Sequence, residues 1–313
     1  MDFLARVQAL PRLGLGVSTE YGAGEAPGAL DPIALRAQHP EFAGFLEIGV
    51  ETLKGLDRHA RRWVESGWPT TYHFLDVNLD EPADLDPIWL DTVREIASLI
   101  RPAWMCGDAG LWHFGPRERG HMLLLPPILT ADSAVALAEG IASLRDATGL
   151  EVIPENPPGT AYLGDLHLLD YFARVGERAD TGMLLDCAHL AIYQRLAGHS
   201  PLTGIDGFPC ERIVELHVAG GAERRLAGYR FVEDSHTIDV LPETWEILAH
   251  VVPRAPNLKA VVFECERNPL AACRPGFERI AGVLAESALG AGAARRPAAP
   301  AAPAGAAPVH PRP

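Results

Sequence analysis

A chain of 313 residues, 48% hydrophobic and 22% charged, has room for one large domain or two small ones and the ordinary composition of a globular protein with a sizeable core. Its formal charge of -14, from 27 Lys+Arg against 41 Asp+Glu, argues against a nucleic-acid partner, because binding a phosphate backbone draws on clustered cations. No apolar run reaches the ~20 residues of a membrane helix, no basic stretch followed by an apolar core marks a secretory signal, and five scattered cysteines without a CxxC pair fit a reducing cytoplasm better than a disulfide framework.

In chain order, short apolar runs read as buried strands at 12–17, 44–48, 70–74, 103–106, 150–154, 182–185, 212–216 and 259–263. Helical patterns fall between most of them. Asp86-Pro87 opens DPIWLDTVREIASLIR with proline at an early helical position. Thr130 opens TADSAVALAEGIASLRDATG, which closes on Gly149. LPETWEILAHVV and PGFERIAGVLAESAL are further amphipathic stretches. Eight strands separated by crossovers predict a parallel (β/α)8 barrel over residues 1–290. An open doubly wound sheet competes, but its usual Gly-rich first turn does not match GLGVSTEYGAG. From 291 to 313 the chain is almost wholly Ala, Pro and Gly, with Arg295, Arg296 and Arg312 and no acidic residue. Such a tail lacks side chains to offset its ordering entropy and is expected to be disordered.

The informative feature is what stands at the strand ends. His73 ends TTYHF, Asp108 follows AWMCG, Glu155 ends EVIPE, and Asp186 ends GMLLD with His189 three residues on. His217 ends IVELH, Asp234 and His236 lie in EDSH, and Glu264 ends AVVFE. A parallel barrel turns all strand C-termini to one face, where active sites are built. Taken singly, each has a bland reading: a hydrogen-bonded core histidine, or for Asp186 a helix cap. Together they would bury many charges, each costing several kcal/mol unless compensated. Metal ions are the economical compensation. Imidazole and carboxylate without convergent thiolates suit Fe, Mn or Zn, and the surplus over four to six donors implies a di- or trinuclear centre. Asp234-x-His236, read as extended, places both side chains on one side of the backbone.

The order H…(H/D)…E…DxxH…H…DxH…E resembles the xylose-isomerase-like barrel superfamily. In detail it resembles the multinuclear non-haem iron-dependent oxidative enzymes, through LEIGVE, PENP, LLDCAHL, ELHVAGG, DSHTIDVLPETWEIL and VFECE, spread from Leu13 to about Leu284. The resemblance implies two or three iron ions, Fe(II) or Fe(III). His73, Asp108 and Glu155 would take one ion, and Glu155 would bridge to a second held by Asp186, His217 and Glu264. His189, Asp234 and His236 would hold the third. Glu155, Asp186, His189 and His217 would carry the catalysis, with Asn156 beside the site. The family usually has SxH or SDH at the fourth strand, where this chain reads CGDAGLWHFG. Asp108 aligns there, with His113 as the alternative if the loop bulges, and His121 is either a substrate-side or a solvated loop residue. The implied activity is oxidation, with dioxygen as co-substrate, of a residue (cysteine above all) in a ribosomally made precursor peptide delivered by a separate leader-binding partner. Trp112, Phe114, Tyr162 and Tyr229 would either line the peptide's path or pack their loops. Other classes stay in view: a sugar isomerase or epimerase, an endonuclease IV-like phosphodiesterase, or a non-catalytic metal-binding accessory protein.

Overall fold

The short apolar runs become the staves of a closed barrel. The computed structural model describes residues 2–19 and 22–286, and the tail expected over 291–313 lies outside the described residues. The first seven strands are β1 (Gly14–Thr19), β2 (Leu46–Val50), β3 (Thr70–Phe74), β4 (Met105–Asp108), β5 (Val152–Glu155), β6 (Met183–Asp186) and β7 (Ile213–Ala219). A hairpin follows, of β8 (Gly221–Leu226) and β9 (Tyr229–Asp234), and β10 (Ala260–Glu264) completes the barrel. All eight barrel pairings are parallel, in the order β1-β10-β7-β6-β5-β4-β3-β2, closed on itself.

Nine helices stand among the described residues: α1 (Phe3–Arg6), α2 (Pro32–Gln38), α3 (Arg58–Glu65), α4 (Pro87–Ile100), α5 (Ala131–Thr148), α6 (Leu168–Ala179), α7 (Cys187–Ala197), α8 (Pro242–Val251) and α9 (Leu270–Glu286). The capping signals operate as read. Asp86 Oδ1 accepts from the amides of Ile88 and Trp89 at the start of α4. Thr130 caps α5, which ends on Gly149 at φ 72°. The sequence pattern placed the start of the last helix at Pro275, whereas α9 begins at Leu270 and carries Pro275 inside it, with buried Cys273 in the added turn.

Two apolar layers frame the barrel. One lies between strands and outer helices; the other fills the N-terminal end, where Phe3 and Val7 pack against Phe45, Trp104, Ile153, Leu184 and Val214. The short α1 region thus plugs the bottom of the barrel, held by Asp180, which accepts from the Phe3 amide and pairs with Arg6. With that end closed by hydrocarbon, polar side chains pointing into the barrel can meet only near its C-terminal mouth.

Sequence reasoning missed the β8–β9 hairpin. It turns on Ala227 and Gly228, both at positive φ, the geometry of a type I′ turn. Inserted in the seventh βα connection, it carries Asp234 at its end. The extended reading of Asp234-x-His236 needs correction as well, because His236 sits at φ 48° and the chain turns there.

Candidate functional site

Strand register builds the site. Asp108 is level with Glu155, and Asp186 is level with His217, so side chains from neighbouring strands enter the mouth side by side. His217 is not a strand end: β7 runs two residues beyond it, and pairing with β6 skips a residue near Val214 that keeps Glu215 and His217 facing inward. Ser18, Thr19, Glu47, His73, Asp108, Glu155, His189, Asp234, His236 and Glu264 line one cavity of about 160 Å³, with Trp112, Met122, Leu124 and Pro158 as its apolar wall. Neither lysine nor arginine is among its lining residues.

Glu155 lies at the centre. Its Oε2 is 2.8 Å from His73 Nε2, and its Oε1 is 3.4 Å from His217 Nδ1 and 3.5 Å from His189 Nδ1. Around His217, Nδ1 is also 3.4 Å from Glu264 Oε1 and 3.9 Å from Asp186 Oδ2. Toward the mouth, Asp234 Oδ2 accepts from His189 Nε2 at 3.2 Å and from His236 Nε2 at 3.0 Å. Of the nine residues expected to converge, seven line this cavity, and Asp186 and His217 stand beside it, 3.9 Å from each other.

Asp186 serves two ends. Its Oδ1 caps α7 by accepting from the His189 amide at 2.6 Å, which aims the imidazole one turn away back at the cavity, while Oδ2 faces the other carboxylates. Asn156 holds this corner rigid: its Oδ1 accepts from the Asp186 amide, its Nδ2 donates to the Asp186 carbonyl, and its own carbonyl accepts from His189 Nδ1 at 2.8 Å.

Electrostatically the site is short of positive charge. Burial, reinforced by Glu264 and Glu155, pushes Asp186 up to about 7, and burial with Glu155 beside it holds Asp108 well above the carboxylate range. Burial alone would lower His73, but Glu47 and Glu155 outweigh it and raise His73 to about 9. His189, His217 and His236 are raised for the same reason, and protons on imidazole stand in for a cation. Buried Asp108 Oδ1, Asp186 Oδ2, Asp234 Oδ1, Glu264 Oε2 and His217 Nδ1 have no aligned hydrogen-bond partner. Unsatisfied donor atoms facing one cavity fit a cluster of cations. Among the described residues, four sets bring possible ligand atoms within 4.8 Å of one another: His73, Asp108 and Glu155; Glu155, Asp186 and His189; Glu47, His217 and Glu264; and, deeper in the barrel, Glu47, Cys106 and Glu215.

Residues 23–274 match the family described as "RiPP precursor modification enzyme MbnB/TglH/ChrH". The chain belongs to that family. It is 26% identical over 256 residues to a UPF0276 protein of Caulobacter vibrioides, covering 78% of this chain and 84% of that protein. Over 246 residues it is 26% identical to a UPF0276 protein of Neisseria meningitidis serogroup B, covering 76% and 81%. Among solved structures it is similar to a xylose isomerase-like TIM barrel protein from Mycobacterium smegmatis in complex with magnesium, at 11% identity and TM-score 0.54, covering 90% of this chain and 98% of that one. A D-psicose 3-epimerase matches at 11% identity and TM-score 0.52, covering 88% and 99%. These likenesses show the fold alone, a xylose-isomerase-like barrel. Family membership makes the chain an enzyme of RiPP precursor modification.

Within this family member, the two alternatives for the fourth-strand position part company. Asp108 enters the cavity, whereas His113 is buried elsewhere, its Nε2 3.0 Å from Asp84 Oδ2 and its Nδ1 donating to the Gly115 carbonyl at 2.7 Å. His121 is exposed at the end of a short helical turn and outside the cavity lining, where Met122 and Leu124 stand instead. Of the aromatics, Trp112 lines the cavity. Phe114 is exposed, the Tyr162 hydroxyl donates to the Pro157 carbonyl, and the Tyr229 hydroxyl donates to Thr160 across the rim.

Sequence reasoning passed over Glu47, Glu215 and Glu266, all buried. Each stands inside a motif that was noticed (LEIGVE, ELHVAGG, VFECE), and the usable signal for Glu215 was period two, since it precedes His217 on the same strand face, whereas Glu266 lies in the turn just past the end of β10. Among the described residues, no helix is long and apolar enough to cross a membrane.

Proposed function

We propose that this family member is a multinuclear iron-dependent oxidoreductase that uses dioxygen to modify a cysteine of a ribosomally synthesised precursor peptide. The observation that carries this reading is the convergence of four buried carboxylates, the partly buried Asp234 and four imidazoles, several of their atoms unsatisfied, in and around one cavity without a lysine or arginine in its lining. All-oxygen-and-nitrogen donor sets suit iron. His73, Asp108 and Glu155 would hold one ion, and Glu155, Asp186, His217 and Glu264 a second. His189, Asp234 and His236 would hold a third. Bound there, iron supplies Lewis acidity toward a thiol and a source of electrons for dioxygen.

The chain's own residues do the rest. Glu155 ties two donor sets into one unit. The α7 cap at Asp186 and the Asn156 bridge fix donor directions before substrate arrives, which is what a preorganised site requires. Trp112, Met122, Leu124 and Pro158 form the wall against which the residue to be modified would pack and from which water would be displaced. Trp112 is itself held, its amide donating to Asn78 and its indole N–H to the Asp108 carbonyl. A separate protein that grips the leader of the precursor would bring the peptide to the mouth. The acidic chain supports this reading over a phosphodiesterase acting on nucleic acid.

The test is anaerobic purification and reconstitution with Fe(II), followed by oxygen-electrode and mass-spectrometric assays with a cysteine-containing precursor encoded beside the gene. Two or three iron atoms per chain, and oxygen uptake matched to a mass change at cysteine, are expected. Tight stoichiometric zinc with no oxygen-dependent change would sink the oxidase reading.

A further inference from the structure

Each imidazole at the site has two nitrogens, and only one can face the cavity. For His189 the other is accounted for, because Nδ1 donates to the Asn156 carbonyl. His217, fully buried, and His236, partly buried, face the same problem with carboxylates in place of a carbonyl. His217 Nε2 lies 3.1 Å from Glu47 Oε1, while its Nδ1 faces Glu155 and Glu264. His236 Nδ1 donates to Glu266 Oε1 at 2.6 Å, while its Nε2 faces Asp234 and, at 3.7 Å, Glu264.

The two glutamates are held alike. Glu47 Oε2 accepts from Cys106 Sγ at 3.1 Å and from Thr71 Oγ1 at 3.4 Å, and Glu266 Oε2 accepts from Ser18 Oγ at 3.4 Å. In both, one oxygen is tied to a thiol or hydroxyl of another strand, and the other is left for one imidazole. Strand geometry makes the arrangement: Glu47 of β2 is level with Thr71 of β3, and Glu266 follows Glu264 by two residues.

We propose that Glu47 and Glu266 are positioning residues, each fixing the tautomer and ring orientation of one histidine so that His217 presents Nδ1, and His236 presents Nε2, to the carboxylates of the cavity. This rests on the metal reading of the site. A ring nitrogen that carries its proton on the Glu side leaves its opposite nitrogen bare, and a bare nitrogen beside carboxylate oxygens is favourable only with a cation between them. Outer carboxylates of this kind raise ligand basicity, and their loss costs about 10–100-fold in metal affinity.

The experiment uses the full chain with Zn(II) as a diamagnetic probe. Affinity is measured by chelator competition, and histidine tautomers by long-range 1H–15N correlation, in the wild type and in Glu47→Ala, Glu47→Gln, Glu266→Ala and Glu266→Gln. The alanine variants should bind Zn(II) about 10–100-fold more weakly, with the His217 or His236 ring signals moving to a tautomer mixture. The glutamine variants keep an accepting carbonyl, and should recover most of the affinity and the single tautomer. Wild-type affinity and tautomers in both alanine variants would overturn the proposal. So would glutamine variants as weak as alanine, which would make the carboxylate a direct ligand. If the wild-type chain takes up neither Zn(II) nor Fe(II), the metal reading fails and the proposal falls with it, whereas a loss confined to the alanine variants speaks to the glutamates alone.

Discussion

Glu155 Oε2 lies 2.8 Å from His73 Nε2 on β3, while Oε1 of the same carboxylate lies 3.4 Å from His217 Nδ1 on β7. One side chain therefore spans two donor sets that are far apart in sequence. Glu155→Gln keeps the shape but removes the charge and turns one oxygen into an N–H donor aimed at an imidazole. The expected result is loss of about two metal ions per folded chain rather than one, read by elemental analysis after gel filtration. A variant retaining its full metal complement would remove the bridging assignment.

Asp108 and His113 are five residues apart and have opposite expected phenotypes. Asp108→Ala removes a cavity oxygen that has no other partner, and should lower metal content with little change in folding stability. His113→Ala empties a fully buried place beside Asp84 and leaves the Gly115 carbonyl without the imidazole N–H that it accepts from. A destabilisation of about 1–3 kcal/mol is expected in urea titrations, with metal content per folded molecule unchanged. The reverse pattern would return His113 to the ligand set.

The legibility of this chain follows from where its polar residues stand. A carboxylate or imidazole that ends an apolar run, as at Asp108, Glu155, Asp186 and Glu264, is visible because a parallel barrel sends every strand end to one mouth. Glu47 and Glu215 were less visible because apolar residues flank them inside a strand, where position along the strand gives depth but not purpose. His113 misleads because five residues of loop carry no direction, and only the Asp84 contact shows which way it turns. The β8–β9 hairpin was hidden by its Ala-Gly turn, which lacks the Asn-Gly or Asp-Gly signature that usually announces a type I′ hairpin.

Metal affinity should rise with pH. In the metal-free chain the site holds protons: burial opposes charge on His73, yet Glu47 and Glu155 raise it to about 9, and burial lifts Asp186 to about 7. An ion needs those nitrogens and oxygens bare, so binding expels protons. If about two leave, affinity gains about 100-fold per pH unit below the raised values, because each released proton contributes a factor of about ten. The metal-free protein should behave oppositely. A histidine raised by folding contributes stability that is full below its unfolded value near 6.5 and disappears as pH climbs through about 9. Zn(II) titration calorimetry in two buffers of different ionisation enthalpy counts the protons directly. A Zn(II) affinity independent of pH between about pH 6 and 8 would contradict this account of the site.

Behind Trp112, helix α5 packs against the segment that carries Asn78 and Leu79. An alanine in place of a mid-helix glycine usually stabilises a helix by up to about 1 kcal/mol. Gly140 of α5 should do the opposite, because a Cβ there would stand 1.6 Å from the Leu79 carbonyl oxygen. That backbone cannot move freely. Asn78, its neighbour, accepts from the Trp112 amide at 2.7 Å and donates to the His113 carbonyl at 2.9 Å, so the loop carrying the cavity wall is anchored through it. Gly140→Ala should therefore cost about 1–3 kcal/mol or more and loosen the Trp112 wall at the same time. Urea denaturation would report the first effect, and Trp112 fluorescence, read against a Trp112→Phe control, the second. A Gly140→Ala chain as stable as wild type would show that α5 does not press on the Asn78 segment as closely as the packing indicates.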